Sequence, residues 1–376
     1  MENKNKSKSS KINLSQLVLL GLGSLIGSGW VFGAWEASSI AGPAAIISWI
    51  IGFIVIGTIA YNYIEIGTMF PQSGGMSNYA QYTHGSLLGF IAAWANWVSL
   101  VTIIPIEAVS AVQYMSSWPC EWAQPMRALM KDGSISTIGL FAVYVIIAIF
   151  SLLNYWSVKL LTSFTSLISV FKLGVPLLTI IMLMISGFDT NNYGHSASAF
   201  MPYGSAPIFA ATTTSGIIFS FNAFQTIINM GSEIKNPEKN IARGIAISLT
   251  LSAILYIVLQ STFITSMPSS MIHEHGWNGI NFNSPFADMA ILLGINWLAI
   301  LLYVEAVVSP FGTGVSFVAV TGRVLRAMEK NGHIPKFLGK MNEQYNIPRV
   351  AIVFNAIISM IMVTLFRDWG TLAAVI

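Results

Sequence analysis

Stretches of about twenty mainly apolar residues, each long enough to cross a bilayer, follow one another along the whole chain with short polar segments between them. The first two cover 14–38 and 43–70, the next three 87–115, 135–154 and 158–186. Four more lie at 208–230, 241–266, 286–323 and 350–366, the eighth long enough to run on as a helix beyond the membrane. A tenth begins at Gly370 and is still open at Ile376, which predicts that the sequence is a piece of a longer protein. The pattern predicts an all-α polytopic membrane protein.

The first stretch is the unusual one. It reads GLGSLIGSGWVFG from Gly21, with glycines at 21, 23, 27, 29 and 33, and each costs a helix about 1 kcal/mol relative to alanine. Two readings follow. Either the helix breaks here and lines a site, because lipid leaves no partner for unpaired backbone groups, or small residues let two helices pack closely. Discontinuous helices near the midplane are how many secondary transporters hold substrate.

Spans one to five and six to ten make two halves of equal count. Since five is odd, the second enters from the opposite side, an inverted repeat. This divides the chain into a tail (1–13), a first repeat (14–186), an outer connection (187–207) and a second repeat (208–376) with its last helix incomplete. The sixth span should then mirror the first. It carries Phe219, Ser220, Phe221, Asn222 and Gln225 in mid-run, polar groups that suit a broken segment or hydrogen bonding between helices.

Composition supports a membrane protein: 376 residues, 54% hydrophobic and only 9% charged, against about 25% charged in soluble domains. Mean hydropathy is +0.68. With the N-terminus inside, Lys4, Lys6, Lys8, Lys11, Lys159, Lys235, Lys239, Arg243, Arg323, Arg326, Lys330, Lys336, Lys340 and Arg349 fall on one side, and Arg127, Lys131 and Arg367 on the other. That asymmetry predicts a multi-pass protein of the cell membrane with a cytoplasmic N-terminus. The exception is the uncharged inner segment 71–85, expected to fold back at the surface. The net charge of +3 therefore reports orientation, and no nucleic-acid partner is expected. One cysteine and five scattered histidines, with His273-Glu-His275 lacking the HExxH spacing, give no reason to expect a metal or other cofactor.

The glycine motif, Glu65 to Gly75 (EIGTMFPQSGG), Ser232 to Ile241 (SEIKNPEKNI) and Arg323 to Pro335 (RVLRAMEKNGHIP) occur in this order. Together they resemble the amino acid-polyamine-organocation superfamily of permeases. Smaller matches, among them Gln113 to Pro119, Asn154 to Lys159 and Asn281 to Asp288, look most like its aspartate–proton symport branch. The resemblance runs from about Asn13 to Ile376, and the last two of the usual twelve helices fall outside it. It implies a 5+5, LeuT-like fold with helices 1 and 6 broken, helices 1, 2, 6 and 7 rocking against a scaffold, and no enzymatic activity.

A zwitterionic amino acid needs donors for its carboxylate and acceptors for its ammonium. The helix resuming after Gly27 offers N–H groups and a positive dipole end, with Ser28 adding a hydroxyl and Ile26 and Gly29 flanking the approach. Carbonyls around Ser24, Leu25, Phe219 and Asn222, with Ser220 and Phe221 between them, would take the ammonium. The resemblance implies the same two stretches, and makes Phe219 an outer gate; it also reads as an ordinary core aromatic. Asn96, Gln113 and Asn222 are candidates for an acidic substrate's second carboxylate, for which no arginine waits.

Lys172 lies in mid-span, too far from either end to snorkel, and an intramembrane charge is a functional hypothesis by default. The resemblance places it where sodium sits in sodium-driven relatives and implies proton coupling; the alternative is a fixed charge pinning the first helix. Glu36, Glu65, Glu107 and Glu305 also fall inside spans. Glu305 is expected to pair with Lys172 or to carry a second proton, Glu107 to face the bend at Pro105, and Glu65 to be structural. Gln225 stands where some antiporters carry a proton-sensing glutamate. The leading expectation is a proton-driven importer of aspartate or another acidic amino acid, with an exchanger as competitor. An intramembrane serine protease built on Ser28 lacks a histidine within a span, and a channel lacks a filter-like repeat. The sequence leaves oligomeric state open.

Overall fold

The computed structural model describes residues 11–156, 158–342 and 347–376; side chains at 156–167 and 169–170 are left aside. Residues 1–10 of the expected tail, with Lys4, Lys6 and Lys8, and the Lys159 side chain lie outside the described set.

Helix α1 (Leu14–Leu25) starts at a capping box in which Asn13 Oδ1 accepts from Gln16 N and Gln16 Oε1 from Asn13 N, at 2.9 and 3.0 Å, satisfying two otherwise orphaned donors. It ends at Ile26, which has left helical backbone geometry (φ −83°, ψ 83°). Helix α2 (Gly29–Ala41) resumes after Ser28 and stops at Gly42, whose φ is +62°. Next come α3 (Ala45–Met69) and α4 (Met76–Ser116), the latter bent sharply at Gly85. Segment 71–85 is therefore not simply a polar turn: from Met76 it is helical, with Gln81 against Gly89 across the bend. A short hairpin, β1 (Met130–Lys131) with β2 (Ser134–Ile135), precedes α5 (Thr137–Trp156) and α6 (Val158–Ser186).

Short helix α7 (Ala197–Phe200) leads to three fragments, α8 (Ala206–Thr214), α9 (Ile217–Asn222) and α10 (Gln225–Asn229). The first gap holds Gly216 at φ +80°, backbone that other residues adopt only with strain. Then follow α11 (Pro237–Ser266), α12 (Ser269–Gly279), α13 (Pro285–Leu292) and α14 (Asn296–Lys330). The stretch 286–323, expected as one span, is instead two helices: α13 ends at Leu292, and Gly294, at φ +74°, turns the chain before α14. Hydropathy alone does not see a positive-φ glycine inside an apolar run. Helices α15 (Arg349–Leu365) and α16 (Trp369–Ala374) complete the chain, α16 capped by Asp368, whose carboxylate accepts from Gly370 N and Thr371 N.

Among the described residues, five helical stretches are each long and apolar enough to cross a membrane: Gly29–Met69, Met76–Ser116, Thr137–Tyr155, Pro237–Ser266 and Asn296–Lys330. Leu14–Leu25, Phe171–Ser186, Ile217–Asn229 and Arg349–Leu365 are shorter apolar helices. Their outward faces leave Ile54, Leu87, Phe141, Ile185 and Leu365 exposed, an apolar belt that water would not tolerate and lipid would. Polar pairs fix the helices inside it. Trp49 Nε1 donates to Gln260 Oε1 at 2.8 Å, and Gln260 Nε2 to Ser38 Oγ at 2.8 Å, tying α3, α11 and α2 together. Trp97 Nε1 donates to Asn355 Oδ1 and Asn355 Nδ2 to Thr321 Oγ1, both at 2.9 Å, joining α4, α15 and α14.

Candidate functional site

The gap between α1 and α2 is the point on which four other helices converge. From α11, Tyr256 Oη donates to the Leu25 carbonyl at 2.6 Å. From α14, Ser309 Oγ donates to the Ile26 carbonyl at 3.3 Å. From α4, both oxygens of Glu107 accept from Ser28 N, at 3.2 and 3.0 Å. From α6, Lys172 Nζ donates to the Gly23 carbonyl and to Thr313 Oγ1, each at 2.5 Å. Lys172 and Glu107 are both buried, so their charges meet protein groups and little else. An ammonium on a carbonyl and a carboxylate on a helix-starting N–H are the expected matches for the two ends of an interrupted helix.

Glu305 also points into this region. It is fully buried, with the Ser309 hydroxyl beside it, and among the described residues neither carboxylate oxygen has another hydrogen-bond partner. Its electrostatic partner is Lys172, which Glu107 also faces. The cluster thus sets one ammonium among two carboxylates. Bare charges in such surroundings are costly unless compensated.

One side of the gap is closed by aromatics. Trp369, the first residue of α16, donates its indole N–H to Ser28 Oγ at 2.9 Å. Its ring lies edge-on to Phe219 at 5.9 Å between centroids and against Phe32 at 5.0 Å. Phe219 therefore packs within the cover over the gap. Ser220 donates to the Gly216 carbonyl at 2.8 Å and touches α2 at Gly29. Asn222 Nδ2 donates to Ser99 Oγ at 2.7 Å, while Asn222 Oδ1 accepts from Gln225.

Ser24, Leu25, Ile26, Gly27, Ser28, Gly29, Phe219, Ser220 and Lys172 are thus brought together. Phe221 turns away, into an aromatic group with Trp49, Phe53 and Tyr256. Asn96 donates to Ser77 Oγ at 3.1 Å and Glu65 is exposed, so neither reaches the gap. Several groups set aside for substrate are held by the protein itself in this conformation: Ser28 N by Glu107, Ser28 Oγ by Trp369, the Leu25 carbonyl by Tyr256. Sequence reasoning missed Thr313, Tyr256 and Trp369, and placed Glu107 at a bend rather than at the start of α2. For Glu107 a signal existed, since a carboxylate in mid-membrane beside a proline calls for a donor. For Trp369 none did.

Changing Trp369 to phenylalanine keeps most of the packing and deletes the N–H. Stability should fall by about 1 kcal/mol, the usual net value of one hydrogen bond, read as a lower unfolding midpoint in detergent. An unchanged midpoint would mean that Ser28 finds an equivalent donor and that the indole N–H adds nothing.

Residues 12–374 match the family model described as amino acid permease. The chain is 51% identical over 360 residues to the glutamate/serine transporter AimA of Bacillus subtilis, covering 96% of this chain and 66% of the relative. It is 34% identical over 366 residues to the aspartate-proton symporter of Bacillus subtilis, 97% of this chain and 69% of that one. It is 27% identical over 353 residues to the methylthioribose transporter of the same organism, 92% and 73% covered. The chain spans about two thirds of the length of the first two relatives. A helical bundle with an apolar outer belt, a charged cluster at an interrupted helix and a family match over nearly its whole length lead to one assignment: the chain belongs to the amino acid permease family, and the relatives it matches are named as transporters.

Proposed function

We propose that this protein is a proton-coupled importer of an acidic amino acid, working by alternating access in the cell membrane with its N-terminus in the cytoplasm. Its architecture is the 5+5 inverted repeat, 14–186 and 208–376, with the first and sixth helices discontinuous and the proton gradient as driving force. The carrying observation is the convergence of Lys172, Thr313 and Glu107 on the gap between α1 and α2. With one ammonium and two carboxylates, the Lys172, Glu107 and Glu305 cluster becomes neutral when it holds one further proton. That proton is the coupled ion. When α1 and α2 move, the contacts of Lys172 with Gly23 and of Glu107 with Ser28 break together, linking proton release to the path opened for substrate. The names of the relatives support the substrate class, one glutamate and serine, another aspartate with protons.

The test is uptake of labelled aspartate, glutamate and serine into liposomes holding the protein, with an inward proton gradient and without. Accumulation of the acidic amino acids that collapses on adding a protonophore is the expected result. Flux that needs amino acid inside the vesicle and ignores the gradient would make the protein an exchanger and remove the coupling role of the cluster.

A further inference from the structure

A second site opens at the end of the molecule where Ile12 bridges to Ile234 and Arg323 pairs with Glu233. A cavity of about 360 Å³ lies beside the last three turns of α14. Arg323, Arg326 and Lys330 line it, and their spacing of three and four residues puts all three on one helix face. Arg323 is already engaged: Nε donates to Glu233 Oε1 at 3.1 Å and Nη1 to the Ala319 carbonyl at 3.3 Å. Arg326 and Lys330 have no hydrogen bond or ion pair among the described residues. Among the described residues Glu233 is the one acidic residue in the lining, so three described cations face one described carboxylate. Arg326 is half-buried, which shields it less completely by salt than an open surface charge.

We infer that this cavity is a binding site for a phosphate-bearing molecule, seated on Arg326 and Lys330. A phosphate dianion matches the two uncompensated cations, and a planar guanidinium binds phosphate oxygens in pairs. The volume falls in the range of small-molecule sites, roughly 300–1,000 Å³, and exceeds what bare phosphate fills. The apolar wall of Val318, Pro348 and Ile352 suits the organic remainder. The site is not the amino acid site, since Arg326 lies thirteen residues along α14 from Thr313, about 20 Å at 1.5 Å per residue. It does not depend on the transport reading. The phosphate belongs either to a soluble metabolite or to the headgroup of an anionic phospholipid.

Two arms of one experiment separate these sources. Calorimetric titration of the detergent-purified protein with inorganic pyrophosphate probes the soluble form. Native mass spectrometry after reconstitution in phosphatidylcholine with added phosphatidylglycerol probes the headgroup. Saturable binding in either arm is expected, weakened about tenfold or more by Arg326→Ala with Lys330→Ala, as follows from losing charge-assisted hydrogen bonds. The exposed Lys336→Ala, outside the cavity, should leave it unchanged. Because Arg326 and Lys330 hold no partner among the described residues, the double variant should keep the parent's unfolding midpoint. Absence of binding in both arms, binding that survives the double variant, or equal weakening by Lys336→Ala would each overturn the proposal.

Discussion

Replacing Lys172 with methionine should end proton-driven accumulation and leave a less stable protein. The side chain is fully buried, and its ammonium is held by the Gly23 carbonyl and Thr313 Oγ1 among the carboxylates of Glu107 and Glu305. Methionine fills much of the same volume but leaves the carbonyl without its donor and two buried carboxylates without a cation. Removing one partner from a buried charged group costs about 3–5 kcal/mol, so the unfolding midpoint in detergent should drop clearly. Pairing Lys172→Met with Glu305→Gln restores part of the charge balance. That double variant should recover stability yet still fail to accumulate substrate under a proton gradient, and this separates coupling from folding. Accumulation retained in a folded Lys172→Met variant would show that the ammonium only pins α1.

Gly29→Ala should be nearly as damaging, for a steric reason. A Cβ at residue 29 would collide with Ser220 Oγ and lie 3.0 Å from Ser220 Cβ, where α2 meets α9. Neither end can yield easily, because α2 is held by Glu107 and Trp369 at Ser28, and the Ser220 hydroxyl is bonded back to Gly216. Overpacking of this kind costs about 1–3 kcal/mol, and here it pushes apart the two segments that form the gap. Uptake should be lost while the protein still inserts. Ser220→Gly in the same chain removes both opposing atoms and should restore transport in part. If Gly29→Ala alone transports normally, the close approach of α2 and α9 is not needed for the cycle.

Both variants act at the place the first apolar run singles out, and the reason lies in local chemistry. Hydropathy averaged over twenty residues locates spans because insertion in lipid selects apolar side chains one by one. Glycine density marks Gly27 and Gly29 because a missing Cβ acts on its own residue. A lone lysine such as Lys172 stands out because charge in mid-membrane is rare. The turn at Gly294 escaped because one glycine in an apolar run carries no sign of its φ.

The sequence by itself therefore determined the membrane class, the approximate spans, the family resemblance, and the residues 24–29, 219–222 and 172 as the region of interest. Only the tertiary structure decided who holds whom. Ser28 meets Glu107 79 residues away and Trp369 341 residues away, and Lys172 meets Gly23 across 149. Such pairs depend on how each helix is rotated and on its depth beside its neighbours. A helix that is apolar all round leaves that rotation open, since lipid and the bundle interior accept the same side chains. Packing between helices and a few buried hydrogen bonds set it instead, and these exist only once the chain has folded.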